Sequence, residues 1–374
     1  MKKITTLALG LLLASAAFAQ KGNKAEVLPS LQSTLGKHFL IGVAVDTRLP
    51  AGQDPAAEAV VKEQFNQVVA ENCMKGEENH PEVNRFDFTD GDKLVDWAER
   101  NGKTVIGHCL VWHSQPPKWM FTDANGKTVS REVLIGRMYN HIMTVVTHYK
   151  GKIKGWDVVN EAFEDDGSYR KSPYYNIIGP EFIELAFQFA HEADPNVELY
   201  YNDYSTSKPG KREAICKLVR SLKSKGLRID AVGMQSHNGY NYPDYAEYEK
   251  SIEAFAAEGV KVMMTELDVN MLPNPEGFGG AEISQNFELQ AKYNPYVKGL
   301  DKKAQKLFNQ RYLDLFKIIE RHKNVISRVT FWGVNDGHTW LNDWPIKGRT
   351  NYPTLIDRNN QLKPVVKEIE KLFE

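Results

Sequence analysis

Residues 153–161 read IKGWDVVNE, a run rich in β-branched and aromatic side chains that closes on the polar pair Asn160-Glu161. Its mostly apolar, β-branched and aromatic content reads as a buried strand. A carboxylate at the tip of such a strand has two readings. It either meets water or caps whatever follows, or it belongs to a site assembled at the strand ends. The rest of the chain decides between them.

Seven further segments share the pattern: 39–45 (FLIGVAV), 65–72 (FNQVVAEN), 103–112 (KTVIGHCLVW), 197–203 (VELYYND), 228–237 (RIDAVGMQSH), 260–269 (VKVMMTELDV) and 327–334 (SRVTFWGV). Amphipathic helices alternate with them, among them 180–193, 212–226 and 246–259, the last two closing on glycine. Eight βα units in series predict an α/β fold, a single (β/α)8 TIM barrel. The series runs without a Ser-, Thr- or Pro-rich linker, so one catalytic-sized domain is expected over residues 20–374, with no appended binding module. The longest loop, roughly 270–300, follows the seventh strand; long loops in compact domains are usually functional or mobile.

Residues 1–19, MKKITTLALGLLLASAAFA, pair two lysines with a short apolar stretch and end on Ala17-Phe18-Ala19, as an export signal does; Gln20 would begin the mature chain. A periplasmic or extracellular location is expected, and no Cys near the cleavage point offers a lipid-anchor site. Lys plus Arg total 47 against 48 Asp plus Glu, which shows no pull toward nucleic acid or an anionic membrane and favours an uncharged or small partner. A monomer is expected. Cys73, Cys109 and Cys216 are too few and too scattered to staple an exported fold; they read as buried free thiols, with a Cys73–Cys109 bridge as the alternative if their strands are neighbours.

A barrel gathers chemistry at the C-terminal ends of its strands, and here seven of those ends carry polar or aromatic residues. They are Glu71, Asn72 and Lys75; His108, Trp112, His113 and Gln115; Asn160 and Glu161; Asn202, Asp203 and Tyr204; Gln235, Ser236 and His237; Glu266 and Asp268; and Trp332, with Trp340 beyond it. So regular a placement favours the site reading of Glu161. Glu161 and Glu266 form the pair that glycosidic cleavage needs, one carboxyl protonated and the other ionised. A carboxyl crowded by Trp156 and apolar neighbours is expected to stay protonated, whereas one beside His237 is held as an anion. The fourth and seventh strands are expected across the barrel from each other, so that the two side chains flank a sugar ring. Lys75 and the amides of Asn72, Asn160 and Gln235 suit hydroxyl groups, and Trp112, Trp332 and Trp340 offer flat apolar faces. No phosphate loop or Arg cluster is visible, and neither cofactor nor metal is expected.

Several of these segments, in order, resemble the motifs of the glycoside hydrolase family 10 endo-β-1,4-xylanases: ENCMK, GHCLVWHSQ, WDVVNEAFEDDG, GMQSH, TELDV and FWGVNDGHTW. The resemblance covers essentially the whole mature chain. It implies a retaining hydrolase of internal xylan bonds, acting on xylan and xylo-oligosaccharides, with Glu161 as general acid/base and Glu266 as nucleophile. His237 and Asp268 would orient the nucleophile. Glu71, Asn72, Lys75, His108, Trp112, Gln115, Asn160, Gln235, Trp332 and Trp340 would contact sugars on the non-reducing side of the cut. Two departures bear on rim shape: Gly76 stands where the family has Trp, and the 270–300 loop is long.

Three rival readings are weaker. His108, His113 and His237 could bind zinc, but no HExxH spacing supports it. A sugar-capturing protein that had lost its chemistry would not need both carboxyls with their helpers. A β-glucan hydrolase is opposed only by Trp340. Trp97 and Trp119 read as core residues, and Asp203 and Tyr204 as either site support or support for the fifth strand.

Overall fold

The computed structural model describes residues 30–374; the expected export signal at 1–19 lies outside them. Nine strands form: β1 (Leu40–Val45), β2 (Gln67–Ala70), β3 (Thr104–Trp112), β4 (Ile153–Asn160), β5 (Glu198–Asp203), β6 (Ala231–Met234), β7 (His237–Gly239), β8 (Lys261–Asn270) and β9 (Ile326–Phe331). All pairings are parallel, β1 joins both β2 and β9, and β6 joins β8, so eight strands close the predicted barrel. The short β7 continues β6 along the same edge of β8, pairing His237 with Asp268.

Parallel strands wrapped by helices are buried on both faces, which explains their nearly continuous apolar runs. β2, β6 and all but the first residue of β3 are wholly buried. Outward side chains merge with the helices into one large core, and inward ones form a smaller plug of Ala44, Val69, Ile106, Tyr200, Ala231, Met263 and Trp332. Gly107 has a packing reason: a Cβ there would lie 2.2 Å from the Trp156 ring, which fills that space instead. The predicted helices form at Phe182–Ala193, Pro209–Ser224 and Tyr245–Ala257; Gly226 and Gly259 follow the last two at φ 71° and 72°, the left-handed turn that ends a helix.

Two expectations are corrected. The segment 228–237 is not one regular strand: β6 covers Ala231–Met234, Ser236 adopts φ 65°, which interrupts the ladder, and the chain rejoins the same edge of β8 at His237 with its register shifted. The fourth and seventh barrel strands, β4 and β8, are not opposite; two strands, β5 and β6, lie between them. All three cysteines are free, with Cys109 and Cys216 buried and Cys73 only partly so; the alternative bridge does not form. Among the described residues no helix is long and apolar enough to cross a membrane.

Candidate active site

Glu161 follows the last residue of β4, and its backbone is left-handed (φ 59°), a conformation rare outside glycine and concentrated at functional sites. Two backbone bonds hold it there. Its N–H donates to the Asn202 carbonyl (2.9 Å), and its own carbonyl accepts from Arg170 Nε (3.0 Å). The side chain, 4% exposed, is met only by donors: Gln235 Nε2 (2.8 Å) and Asn160 Nδ2 (3.2 Å) at Oε1, and Trp112 Nε1 (2.8 Å) at Oε2. Burial pushes its carboxyl upward, and the charge of His113 with the Gln235 and Trp112 bonds offsets only part of that rise. The indole on this carboxyl is therefore Trp112. Trp156, expected there, faces the helical layer against Tyr149, its neighbour Asp157 faces His108, and an irregularity in β4 between Asp157 and Val159 is what brings Asn160 back to the inner face.

Glu266 and Asp268 lie two residues apart on β8 and so share a face. Asn202 Nδ2 donates to Glu266 Oε1 (2.8 Å), and His237 spans Glu266 Oε2 (3.1 Å, from Nε2) and Asp268 Oδ2 (2.9 Å, from Nδ1). Burial acts to raise the Glu266 carboxyl, but the His237 bond, the fields of His108 and His237 and the Asn202 bond together bring it below its ordinary value. Burial likewise acts to lower His237, and the two carboxylates overcome it, lifting the imidazole to about 10. The imidazolium thus donates from both nitrogens. Trp340 Nε1 donates to the same Asp268 Oδ2 (2.9 Å) and its ring stacks on Trp344 at 4.3 Å, which ties the apolar wall to the nucleophile's support.

The two carboxyls share one amide network. Asn202 Nδ2 also donates to Asn160 Oδ1 (3.0 Å), as does Gln235 Nε2 (3.2 Å), while Thr265 Oγ1 fixes the Asn202 carbonyl oxygen (2.6 Å). Asn202, seen in sequence only as one of several polar strand-end residues, is a direct partner of Glu266; its place at the tip of β5 was the available signal. Asp203 instead supports the fold, fully buried against Tyr201 Oη (2.6 Å) and Lys211 Nζ (3.0 Å).

On one side of this pair lies a hollow of about 260 Å³ lined by Glu71, Asn72, Lys75, His108, Trp112, Gln115, Asn160, Glu161, Gln235, His237, Glu266, Trp332 and Trp340, and also by Trp344, Ala281 and Ile283. Every residue expected to bind sugar is therefore gathered there. Lys75 is buried, lies 4.8 Å over the Trp112 ring and donates to Asn72 (2.9 Å) and Gln115 (2.7 Å); burial lowers its pKa. Gly76 is backed by Pro117, whose Cδ would stand 3.1 Å from any added Cβ, so this rim has no room for a side chain without adjustment. Adjoining it at His237 and Ala281 is a second hollow of about 480 Å³, walled by Tyr204, Lys208, Tyr242, Asp244 and Phe278.

The three rim histidines are engaged separately: His108 with Asp157 (2.9 Å), His113 with Ser114 (3.0 Å), and His237 as above. Among the described residues the one group with metal-ligand spacing is Glu249, Glu253 and His322, away from this site. Trp97 is core as expected, and Trp119 packs partly buried against it.

The chain matches glycosyl hydrolase family 10 over residues 30–372. It is 61% identical over the whole of both chains to endo-1,4-beta-xylanase A of Xylanibacter ruminicola, and 39% identical over 98% of each to a beta-1,4-xylanase of Dictyoglomus thermophilum. A family 10 endoxylanase retrieved from a sugarcane soil metagenome superposes with a TM-score of 0.88 at 44% identity, over 92% of this chain and all of that one. A Thermoanaerobacterium saccharolyticum xylanase, solved as a mutant complexed with xylotetraose, superposes at 0.79 and 36% identity over 91% of this chain and 98% of that one.

Proposed function

The chain belongs to glycosyl hydrolase family 10, and from that premise we propose how its residues divide the work of a retaining endo-1,4-β-xylanase. The enzyme hydrolyses internal β-1,4 bonds of xylan through a covalent glycosyl-enzyme. Glu266 attacks the anomeric carbon as Glu161 gives its proton to the departing oxygen; Glu161 then takes a proton from the water that releases the sugar. The observation that carries this assignment is that two carboxyls in one amide network are pushed in opposite directions, Glu161 up and Glu266 down. His237 and Asp268 orient Glu266. Xylosyl units on the non-reducing side occupy the smaller hollow, where Glu71, Asn72, Lys75, His108, Gln115, Asn160 and Gln235 meet hydroxyls and Trp112, Trp332 and Trp340 meet ring faces.

We also infer that the enzyme works as an exported monomer, without a membrane anchor, after residues 1–19 are removed; the charged, apolar and small-residue order of that segment supports this. One experiment reads both proposals. Enzyme recovered from outside the cytoplasm is inactivated with a 2-deoxy-2-fluoro aryl xylobioside, and intact and peptide masses are recorded. The label is expected on Glu266 and the mature chain on Gln20; a label on Glu161, or an uncleaved N-terminus, overturns the respective reading.

A further inference from the structure

The loop Met271 to Asp301 leaves β8, the strand that carries Glu266, and meets the segments that follow β3, β4, β5 and β9. Four contacts pin its course. Phe278 packs on Trp344 with ring centroids 5.5 Å apart. Gly280, at φ 59°, brings its backbone so near Tyr204 that an added Cβ would lie 2.5 Å from the ring. Glu282 Oε2 lies 3.1 Å from an Arg170 guanidinium nitrogen and 3.6 Å from His113 Nε2, while its Oε1 accepts from the Ser284 N–H (3.1 Å). Phe287 N–H then donates to the Pro345 carbonyl (2.9 Å). Between these anchors sits Ala281, buried and facing both hollows.

The pair formed by Glu282 and Arg170 is not an ordinary surface contact. Arg170 is 11% exposed and Glu282 25%; the Glu282 carboxyl is held down to about 2 chiefly by His113, with the Ser284 N–H adding to it. The other donors of Arg170 go to the Glu161 carbonyl and to Tyr204 Oη, and the more exposed Glu164 lies 3.4 Å from the nitrogen that Glu282 holds at 3.1 Å. A single carboxylate on the loop after the nucleophile strand is thus fastened to the arginine that holds the left-handed backbone of the acid/base. It closes a bridge between loops that follow β8, β4 and β3.

We propose that Glu282 is a specificity-determining residue, clasping residues 279–283 as a strap across the cleft so that Ala281 seats the first leaving-group sugar in line with Glu161. The proposal rests on the reading of Glu161 as the acid/base. A chain cut beside Glu161 must pass from the smaller hollow into the larger one, and Ala281 is the strap residue that borders both. Binding energy from that sugar is then spent on alignment for proton transfer, so losing the strap costs turnover of true polymer more than of substrates without a leaving-group sugar.

The test compares Glu282→Ala and Glu282→Gln with the parent on xylopentaose and on 2,4-dinitrophenyl xylobioside, whose leaving group needs neither a sugar contact nor a proton. Glu282→Ala is expected to lower kcat/KM on xylopentaose by at least about tenfold more than on the aryl substrate, and to shift cleavage toward bonds with fewer leaving-group sugars. It should also reduce transfer to added xylobiose relative to transfer to water. Glu282→Gln, which keeps an acceptor for Arg170, should fall between parent and Glu282→Ala. Equal losses on both substrates, or no loss on either, overturn the strap. A failure of the acid/base reading itself is seen separately, in the labelled peptide and in Glu161 variants of an intact strap.

Discussion

The two hollows that meet at His237 and Ala281 are made of different material. The polar side chains of the smaller one are set at or just past strand ends, with Ala281, Ile283 and Trp344 added from loops, and those polar groups are largely bonded to one another, as Lys75 is to Asn72 and Gln115, and Glu266 to Asn202 and His237. The larger one is walled by loops, from Ser205–Pro209, Tyr242–Asp244 and Phe278–Ala281. Strand-borne groups supported by neighbours keep their geometry, whereas loop walls yield. The smaller hollow is therefore where single atoms decide the outcome, and the larger is where grip and chain length are set.

The sharpest test of that contrast removes the carboxyls themselves. Glu266→Ala is expected to lower kcat on every substrate by about ten-thousandfold or more, as loss of a nucleophile does. Glu161→Ala should cut xylan hydrolysis by about a hundred- to ten-thousandfold while sparing the glycosylation step with acidic phenol leaving groups, which need no proton. Pre-steady-state release of dinitrophenol measures the difference. Equal losses on both substrate types would remove Glu161 from the acid role.

A smaller effect is expected at Trp340, which walls the first hollow and also donates to Asp268. Glucose carries a hydroxymethyl group where xylose has hydrogen, and forcing it against a packed indole costs about 1–3 kcal/mol, roughly five- to two-hundredfold in rate. The ratio of kcat/KM for an aryl xylobioside over the matching cellobioside should favour xylose and should narrow in Trp340→Ala. Trp340→Phe separates the two duties of the residue: the wall remains but the N–H is lost, so both substrates should slow together, by about tenfold, with the ratio kept. A parent ratio near unity would mean that the wall does not discriminate.

The smallest expected change is a shift of one limb of the pH profile. In free enzyme the acid limb of kcat/KM follows Glu266, which must be ionised and lies below its ordinary value, and the alkaline limb follows Glu161, which must be protonated and lies above. The Trp112 bond to Glu161 favours the anion, so Trp112→Phe removes a pKa-lowering contact and should move the alkaline limb to higher pH while leaving the acid limb in place. Movement of the acid limb instead would exchange the two assignments.

Much of this was readable from local pattern. Strand number follows from short β-branched runs at regular spacing, helix ends from Gly226 and Gly259, and the rim from the polar residues that close the strands. Local pattern fails where a residue's neighbours are distant in sequence. Which indole faces Glu161 depends on the register between β3 and β4, which sets Trp112 beside Asn160, and on the irregularity in β4 that puts Trp156 and Asn160 on opposite faces. The break at Ser236 is a backbone choice stabilised by the pairing of β7 with β8, and nothing in GMQSH as a string demands it.

By itself, then, the order of apolar runs and helix stops determined a closed parallel barrel, and the residue types at the strand ends determined that two carboxyls would share its rim, because both follow from periodicities of a few residues. Only the folded chain decided what each carboxyl is. Burial acts on both alike, and the difference comes from donors and charges that arrive from other strands: Gln235, Trp112 and His113 around Glu161, and Asn202, His237 and His108 around Glu266. Glu282, more than a hundred residues from Arg170 in the chain, finds it only because the long loop after β8 meets the segment that follows β4.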